Sequence, residues 1–431
     1  MVRREFLASL GLLAFQTRTL SEVRVDGRRL NRHLGALARF GRTPEGGISR
    51  VAYSDADLEG RAFAMELMRA AGLEASIDHA GNILGRRHGT DANLPPLMFG
   101  SHIDSVPHGG NYDGQVGSMG AIEVAHTLSD TGTATRHPLE VMLFQNEENG
   151  KTGSRALSGE IRDGELDLVS HTDKTIGEGI AFIGGDPAKL DEVRREPGDI
   201  AAYLELHIEQ GAILDQKSID IGVVEGIVGI KRWNVTVTGF ANHAGTTPMD
   251  QRHDAMLTAG RFVDAVNAVA TEMSGRHVAT VGKLEAHPGA PNVIPGRVEL
   301  SLEIRDLEMD KIDRVFEAVA EAARELAARN GTTIALEQYY LSRAAPTDMR
   351  LRELVASSAE ALGLKTLWMP SGAGHDAQSI ARLAPVGMIF IPSVDGVSHS
   401  PKEYSRPEAI EAGANVLLQT LLATDALDLS G

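Results

Sequence analysis

Cysteine is absent from all 431 residues, which removes disulfide bonds and thiolate metal ligands together. Any metal the chain binds must be held by His, Asp and Glu, donors that suit zinc, manganese, cobalt or nickel. Basic charge is also scarce: 42 Lys and Arg against 59 Asp and Glu give a formal net charge of −17. No basic stripe exists to neutralise phosphates, so nucleic acid is excluded as a partner. Beyond the N-terminus no apolar run approaches the length of a membrane span, and a membrane partner is excluded likewise. There is no internal repeat or low-complexity tract. Aromatics are only 4% of the chain while glycines number 46, the texture of an α/β protein with many tight turns.

At this length the chain exceeds a usual single core, and two domains are expected. From Val25 to about residue 218 helical and strand patterns alternate. SDADLEGRAFAMELMRAAG reads as a helix capped by Ser54 or Asp55 and stopped at Gly72. Short apolar runs at 97–99, 140–144 and 202–206 each feed a polar loop, as strands of an open, mixed but largely parallel sheet do. From Ile219 to about residue 336 the texture changes. RWNVTVTG and RVELSLEIRD alternate as strands, the latter with Val298, Leu300, Leu302 and Ile304 on one face. DAMLTAGRFVDAVNAVATEM and KIDRVFEAVAEAARELAARNG have helical periodicity, the second ended by Asn330-Gly331. The α/β texture then resumes from about 337 to 431. The expectation is a catalytic α/β domain (25–218 and 337–431) interrupted by a small α+β domain (219–336). Residues 1–24 form an extension in which Arg3-Arg4 precedes an apolar run from Phe6 to Phe15. That pattern resembles a twin-arginine export signal and implies a periplasmic destination, the alternative being a cytoplasmic protein.

The chemistry-bearing residues sit at the ends of apolar runs. His102 follows LMFGS, Asp113 lies in GGNYDG, Glu147-Glu148 follow VMLFQN, His207 lies in YLELHIEQG, and His399 in GVSHSPKE. Taken singly, each has an ordinary structural explanation as a loop or core residue. Together they supply ligands for two divalent ions sharing a carboxylate, with one carboxylate left over as a base. Asp113 reads as the bridging carboxylate, its flanking glycines allowing close approach. Adjacent side chains on an extended segment diverge, so Glu148 is assigned to the metal and Glu147 to the general base. Asp104, two residues after His102, faces the same side and is expected to accept the proton of the other imidazole nitrogen, fixing the tautomer that binds metal.

GSHIDSVPHGGNYDG, NEENG, LELHIEQG, ANHAGTTPM, PNVIPG, SGAGHDAQ and SHSPKE resemble the amidase/hydantoinase/carbamoylase branch of the metal-dependent aminoacylase and exopeptidase superfamily, over nearly the whole chain. The resemblance implies a di-metal catalytic domain with an inserted lid and dimerisation domain. It implies metal binding by His102, Asp113, Glu148, His207 and His399, with Glu147 as base. It further implies substrate contacts by Asn292 in PNVIP and Arg305 in EIRD, which would hold a carboxylate, and by His375, Gln210 and Arg232. His243 in NHAGTTP matches a residue that reaches a neighbouring subunit's active site and stabilises an oxyanion, so a homodimer is implied. The expected substrate is a small ureido carboxylate: an N-carbamoyl-L-amino acid first, allantoate as the alternative, with β-ureidopropionase or peptidase activity behind them. His108, Asn111 and Ser118 depart from the commonest family forms, which bears on substrate choice alone.

Overall fold

The computed structural model describes residues 23–427; the Arg3-Arg4 segment and its apolar run lie outside the described residues. No helix among the described residues is long and apolar enough to cross a membrane. A 9-stranded mixed sheet dominates the architecture. Its order is Glu74–Ile77, Ile83–Arg87, Leu139–Phe144, Leu97–His102, Ala202–Ile208, Val386–Ile391, Ile221–Ile227 and Ala345–Pro346, with Thr366–Ser371 added against Ile221–Ile227. The four central strands, from Leu139–Phe144 to Val386–Ile391, run parallel, and the flanking pairs are antiparallel except that Thr366–Ser371 joins Ile221–Ile227 in parallel. Every residue of these four strands is buried, because helices cover both faces. Leu97, Phe99, Val141, Leu143, Leu204, Leu206 and Ile389 pack on one face with the helices Gln115–Asp130 and Pro407–Asp425. Met98, Met142, Phe144, Tyr203, Met388 and Phe390 pack on the other.

Local signals act as expected in the helix Asp55–Ala70. The Ser54 side chain accepts from the Asp57 amide, and Gly72 follows with φ +81°. A second, 5-stranded antiparallel sheet runs in the order Leu284–His287, Arg297–Asp306, Gly229–Thr238, Thr333–Ser342, with Val278–Thr280 also on Arg297–Asp306. Val298, Leu300, Leu302 and Ile304 are all buried on one face of it, against Ala255–Glu272 and Met309–Asn330. Leu302→Ala is therefore expected to lower the unfolding free energy of this layer by about 2–5 kcal/mol, read from a denaturant titration.

The change of texture read at Ile219 comes too early. Ile221–Ile227 is hydrogen-bonded into the large sheet, and the chain leaves it only at Val228; on return, Thr333–Ser342 carries the second sheet past 336. Ile221–Ile227 is apolar enough for either sheet, so hydropathy holds no boundary there.

Candidate metal centre and active site

Register assembles the site. Leu97↔Ala202, Met98↔Tyr203 and Phe99↔Leu204 pair in parallel, and the same offset carried to the strand ends sets His102 beside His207. Their ring centroids are 5.9 Å apart. Both lie on the face opposite Leu204 and Leu206, with Tyr203 and Glu205, so the period of 2 gives them the same side. Phe144 pairs with His102, which brings Glu147 and Glu148 out just beyond the same edge. His399 follows the strand Val386–Ile391, whose Ile391 pairs with Ile208. Asp113 enters from the loop before Gln115–Asp130. There Gly114 has φ +73°, and a Cβ on it would overlap the His102 imidazole, so only glycine permits the approach.

One carboxylate stands at the centre. Asp113 Oδ1 lies 3.1 Å from His207 Nε2 and 3.8 Å from His102 Nε2, while Oδ2 lies 3.2 Å from His399 Nε2. His399 Nε2 is also 3.4 Å from Glu148 Oε2, and Glu147 Oε2 is 3.8 Å from His102 Nε2. Two ligand groups result, His102–Asp113–His207 and Asp113–Glu148–His399, with Asp113 common to both.

The donor set fits divalent cations on a specific ground. His102 Nδ1 contacts the Asp104 carbonyl at 3.1 Å and His207 Nδ1 the Ile208 carbonyl at 2.9 Å. A ring that donates from Nδ1 presents a lone pair at Nε2, and here that lone pair faces carboxylate oxygen. His207 Nε2 and Glu148 Oε1 are buried without a well-aligned hydrogen bond among the described residues. Lone pairs facing lone pairs call for positive charge between them. Against burial, which lowers it, the Asp104, Glu147 and Glu148 carboxylates hold His102 well above its ordinary value. His207 is raised by Asp113 against the same burial. Burial raises Glu148 strongly, with Asp113 adding to it, and burial pushes Glu147 up to about 7 while His102 and Lys151 pull the other way.

Several residues stand elsewhere than expected. The Asp104 carboxylate is 3.6 Å from His102 Nδ1, behind its own carbonyl, and instead accepts the Glu147 and Glu148 amides at 3.3 and 3.2 Å. It holds the glutamate loop; its backbone orients the histidine. Gln210 donates to Asp113 Oδ2 at 2.6 Å and so meets the bridging carboxylate. His375 is buried with its ring 4.4 Å from His207 and its Nε2 2.8 Å from Ser371 Oγ, behind a ligand and not lining an open pocket. Burial, with the neighbouring His207 adding to it, holds it well below the usual histidine range.

The second sheet carries the remaining residues. Arg305 Nε donates to Glu303 at 2.6 Å and Nη1 to the Gly372 carbonyl at 2.6 Å, which leaves Nη2 without a bond among the described residues. Glu303 also accepts Arg232 Nε at 2.6 Å, and Arg232 stacks over Tyr340. Arg305 is thus salt-bridged to Glu303, and its bond to Gly372 holds the guanidinium against the His375 loop. His243 is exposed on the short strand Asn242–His243, paired with Val293 beside Asn292. No hydrogen bond or ion pair among the described residues joins His243, Asn292, Arg232 or Arg305 to the metal-ligand cluster. Glu205 joins the site without a motif to mark it: it lies beneath His207 and His375, accepting from Ser101 Oγ and the Ala377 amide. Its spacing of two from His207 on an alternating strand was the available signal.

Histidines and carboxylates gathered at the carboxyl ends of parallel strands define a metal-dependent hydrolase. The model of peptidase family M20/M25/M40 matches residues 98–423. The chain belongs to that family, in its hydantoinase/carbamoylase amidase branch. It is 38% identical over 406 residues to an N-carbamoyl-L-amino acid amidohydrolase of Geobacillus stearothermophilus, covering 92% of this chain and 98% of that one. To an allantoate amidohydrolase of Bacillus subtilis it is 33% identical, covering 89% and 94% of the two chains. Among solved structures, an amidase of the hydantoinase/carbamoylase family from Burkholderia multivorans superposes with a TM-score of 0.87 at 38% identity, over 94% of this chain and 99% of that one.

Proposed function

We propose that the protein hydrolyses the ureido C–N bond of an N-carbamoyl-L-amino acid, releasing the amino acid, carbon dioxide and ammonia. The observation that carries the reading is Asp113, placed between two ligand groups with an uncommitted glutamate, Glu147, beside them. Similarity to the Geobacillus amidohydrolase over nearly the full length supports the choice of substrate class.

Divalent ions held by His102, Asp113, Glu148, His207 and His399 would supply Lewis acidity and make water nucleophilic near neutral pH. Glu147 takes the proton of the attacking water as it adds to the carbamoyl carbon, then delivers it to the leaving nitrogen. Its burial, which outweighs the opposing pull of His102 and Lys151, keeps it basic enough for both roles. His243 from a second copy donates to the oxyanion, where one preorganised donor is worth about 3 kcal/mol. Asn292 and the free Nη2 edge of Arg305 hold the substrate carboxylate, and their position on the second sheet makes that layer a lid whose closure excludes water. Exposed Phe240, Met249, Met256, Leu257 and Val263 on the second unit suit burial against that second copy.

Metal-reconstituted protein should release ammonia from N-carbamoyl-L-methionine, and allantoate, N-carbamoyl-β-alanine and a dipeptide are the comparisons. Ammonia from allantoate alone would replace the substrate with that of the Bacillus relative; dipeptide cleavage alone would overturn the class. Arg305→Lys, which keeps charge but loses the forked donor pair, is expected to raise KM about tenfold or more with a smaller change in kcat. An unchanged KM would remove Arg305 from the clamp.

A further inference from the structure

Glu403 has no part in the chemistry above, yet it is the hub between two loops that carry metal ligands. It is 5% exposed, and donors surround both its oxygens. Oε1 accepts the backbone amides of Tyr112 at 2.9 Å and Asp113 at 3.1 Å. Oε2 accepts Ser398 Oγ at 3.1 Å and the His399 amide at 3.2 Å. A carboxylate has about four lone-pair sites, and here four donors meet two oxygens. Two come from the Asp113 loop and two from the His399 loop, segments far apart in the chain. Glu403 bonds to Asp113 across 290 residues but to His399 across only 4.

The loop shapes are built around this group. A Cβ on Gly110 would overlap the Glu403 carboxylate, so the GGNYDG loop closes on Glu403 only because that position is glycine. His399 has φ +53°, a left-handed conformation that a non-glycine residue keeps only under local constraint, and its own amide is one of the four donors. Beside the hub, Tyr112 and Tyr404 meet edge to face at 5.7 Å. The Ser398 hydroxyl has a single proton and two acceptors, Glu403 Oε2 at 3.1 Å and Asp113 Oδ2 at 3.0 Å. When Asp113 Oδ2 is committed to a cation, Glu403 remains to take that proton.

We infer that Glu403 is a positioning residue that sets the distance between Asp113 and His399 and thereby forms the metal position made by Asp113, Glu148 and His399. The inference rests on the metal-centre reading above. Glu403 points at amides and a hydroxyl and is not a ligand; its effect reaches the cation through two loops. The His102–Asp113–His207 position depends on it less, because His102 and His207 are fixed by the sheet and by their own carbonyl contacts.

The test uses the full chain loaded with Mn²⁺ or Zn²⁺, dialysed against a graded chelator, with bound metal measured by elemental analysis and folding by thermal melt. Wild type should hold both ions. In Glu403→Ala one ion is expected to leave at about 10- to 100-fold lower chelator strength, the other staying bound. Glu403→Gln is the safeguard against misfolding. Its carbonyl oxygen can still accept from Tyr112 and Asp113, but its amide nitrogen cannot accept from Ser398 or His399, so an intermediate loss is expected. Excess metal should restore kcat in both variants with KM unchanged, which a merely destabilised loop would not show. Folded variants that hold both ions as wild type does overturn the inference and leave the metal-centre reading intact. Wild type that binds neither ion overturns that reading, and this inference with it.

Discussion

Glu147→Gln should bind metal as wild type does and turn over about 10²- to 10⁴-fold more slowly, the range a positioned general base contributes. The exchange keeps shape and removes basicity. Glu147 is well placed to be separable from the metal ligands: its closest cluster contact is His102 Nε2 at 3.8 Å, and its backbone is held by Asp104. Its neighbour makes the control. Glu148 belongs to the ligand group with Asp113 and His399, so Glu148→Gln should lose metal affinity first and activity as a consequence. Metal content and kcat measured on the two variants side by side distinguish the roles. If Glu147→Gln loses metal while Glu148→Gln keeps it, the assignments are reversed; full activity in Glu147→Gln would leave the reaction without a base.

Asp113→Ala should have the larger effect on the centre itself. Both ligand groups use this carboxylate, and its two oxygens face different imidazoles, Oδ1 toward His207 and Oδ2 toward His399. Its removal leaves His102 and His207 without a carboxylate ligand beside them and Glu148 and His399 without a bridge. Bound metal is expected to fall at both positions and activity to reach background. The thermal midpoint of wild type should drop on adding chelator, since a ligand at 100 times its Kd adds about 2.7 kcal/mol to stability. In Asp113→Ala that response should vanish. A chelator-sensitive midpoint in the variant, with metal still bound, would show that Asp113 is not shared.

The residues that the structure gathers around Asp113 stood out in the chain because His102 and His207 end apolar strands and Glu147, Glu148 and His399 lie in loops beyond others. Val298, Leu300, Leu302 and Ile304 were legible for the same reason, since strict alternation makes a face. Alternation stops being informative where the backbone leaves the extended region. Gln210 and His399 have φ of +59° and +53°, so no period extended from the preceding strand says where their side chains go. Gln210 accordingly turned out to meet Asp113. Spacing shows which side the Asp104 side chain faces, but its contact to His102 is made by the carbonyl, which hydropathy and spacing do not address. Glu403 is visible in SHSPKE only as a charged loop residue; its four donors come from chain segments whose nearness is a tertiary fact. The strand Ile221–Ile227 shows the same limit for boundaries, because an apolar strand does not announce which sheet it joins.

The side-by-side placement of His102 and His207 has a kinetic side. Those two strands are separated by about a hundred residues of chain, and His399 must be brought in from beyond the whole of the second sheet. Contacts of such long range form late, because loop-closure entropy must be met before they contribute. A site that needs His207 and His399 together with His102 is therefore complete only once these strands have paired. A ligand of such a site is expected to act as a latch that slows the opening of the sheet and not as a seed that starts its folding.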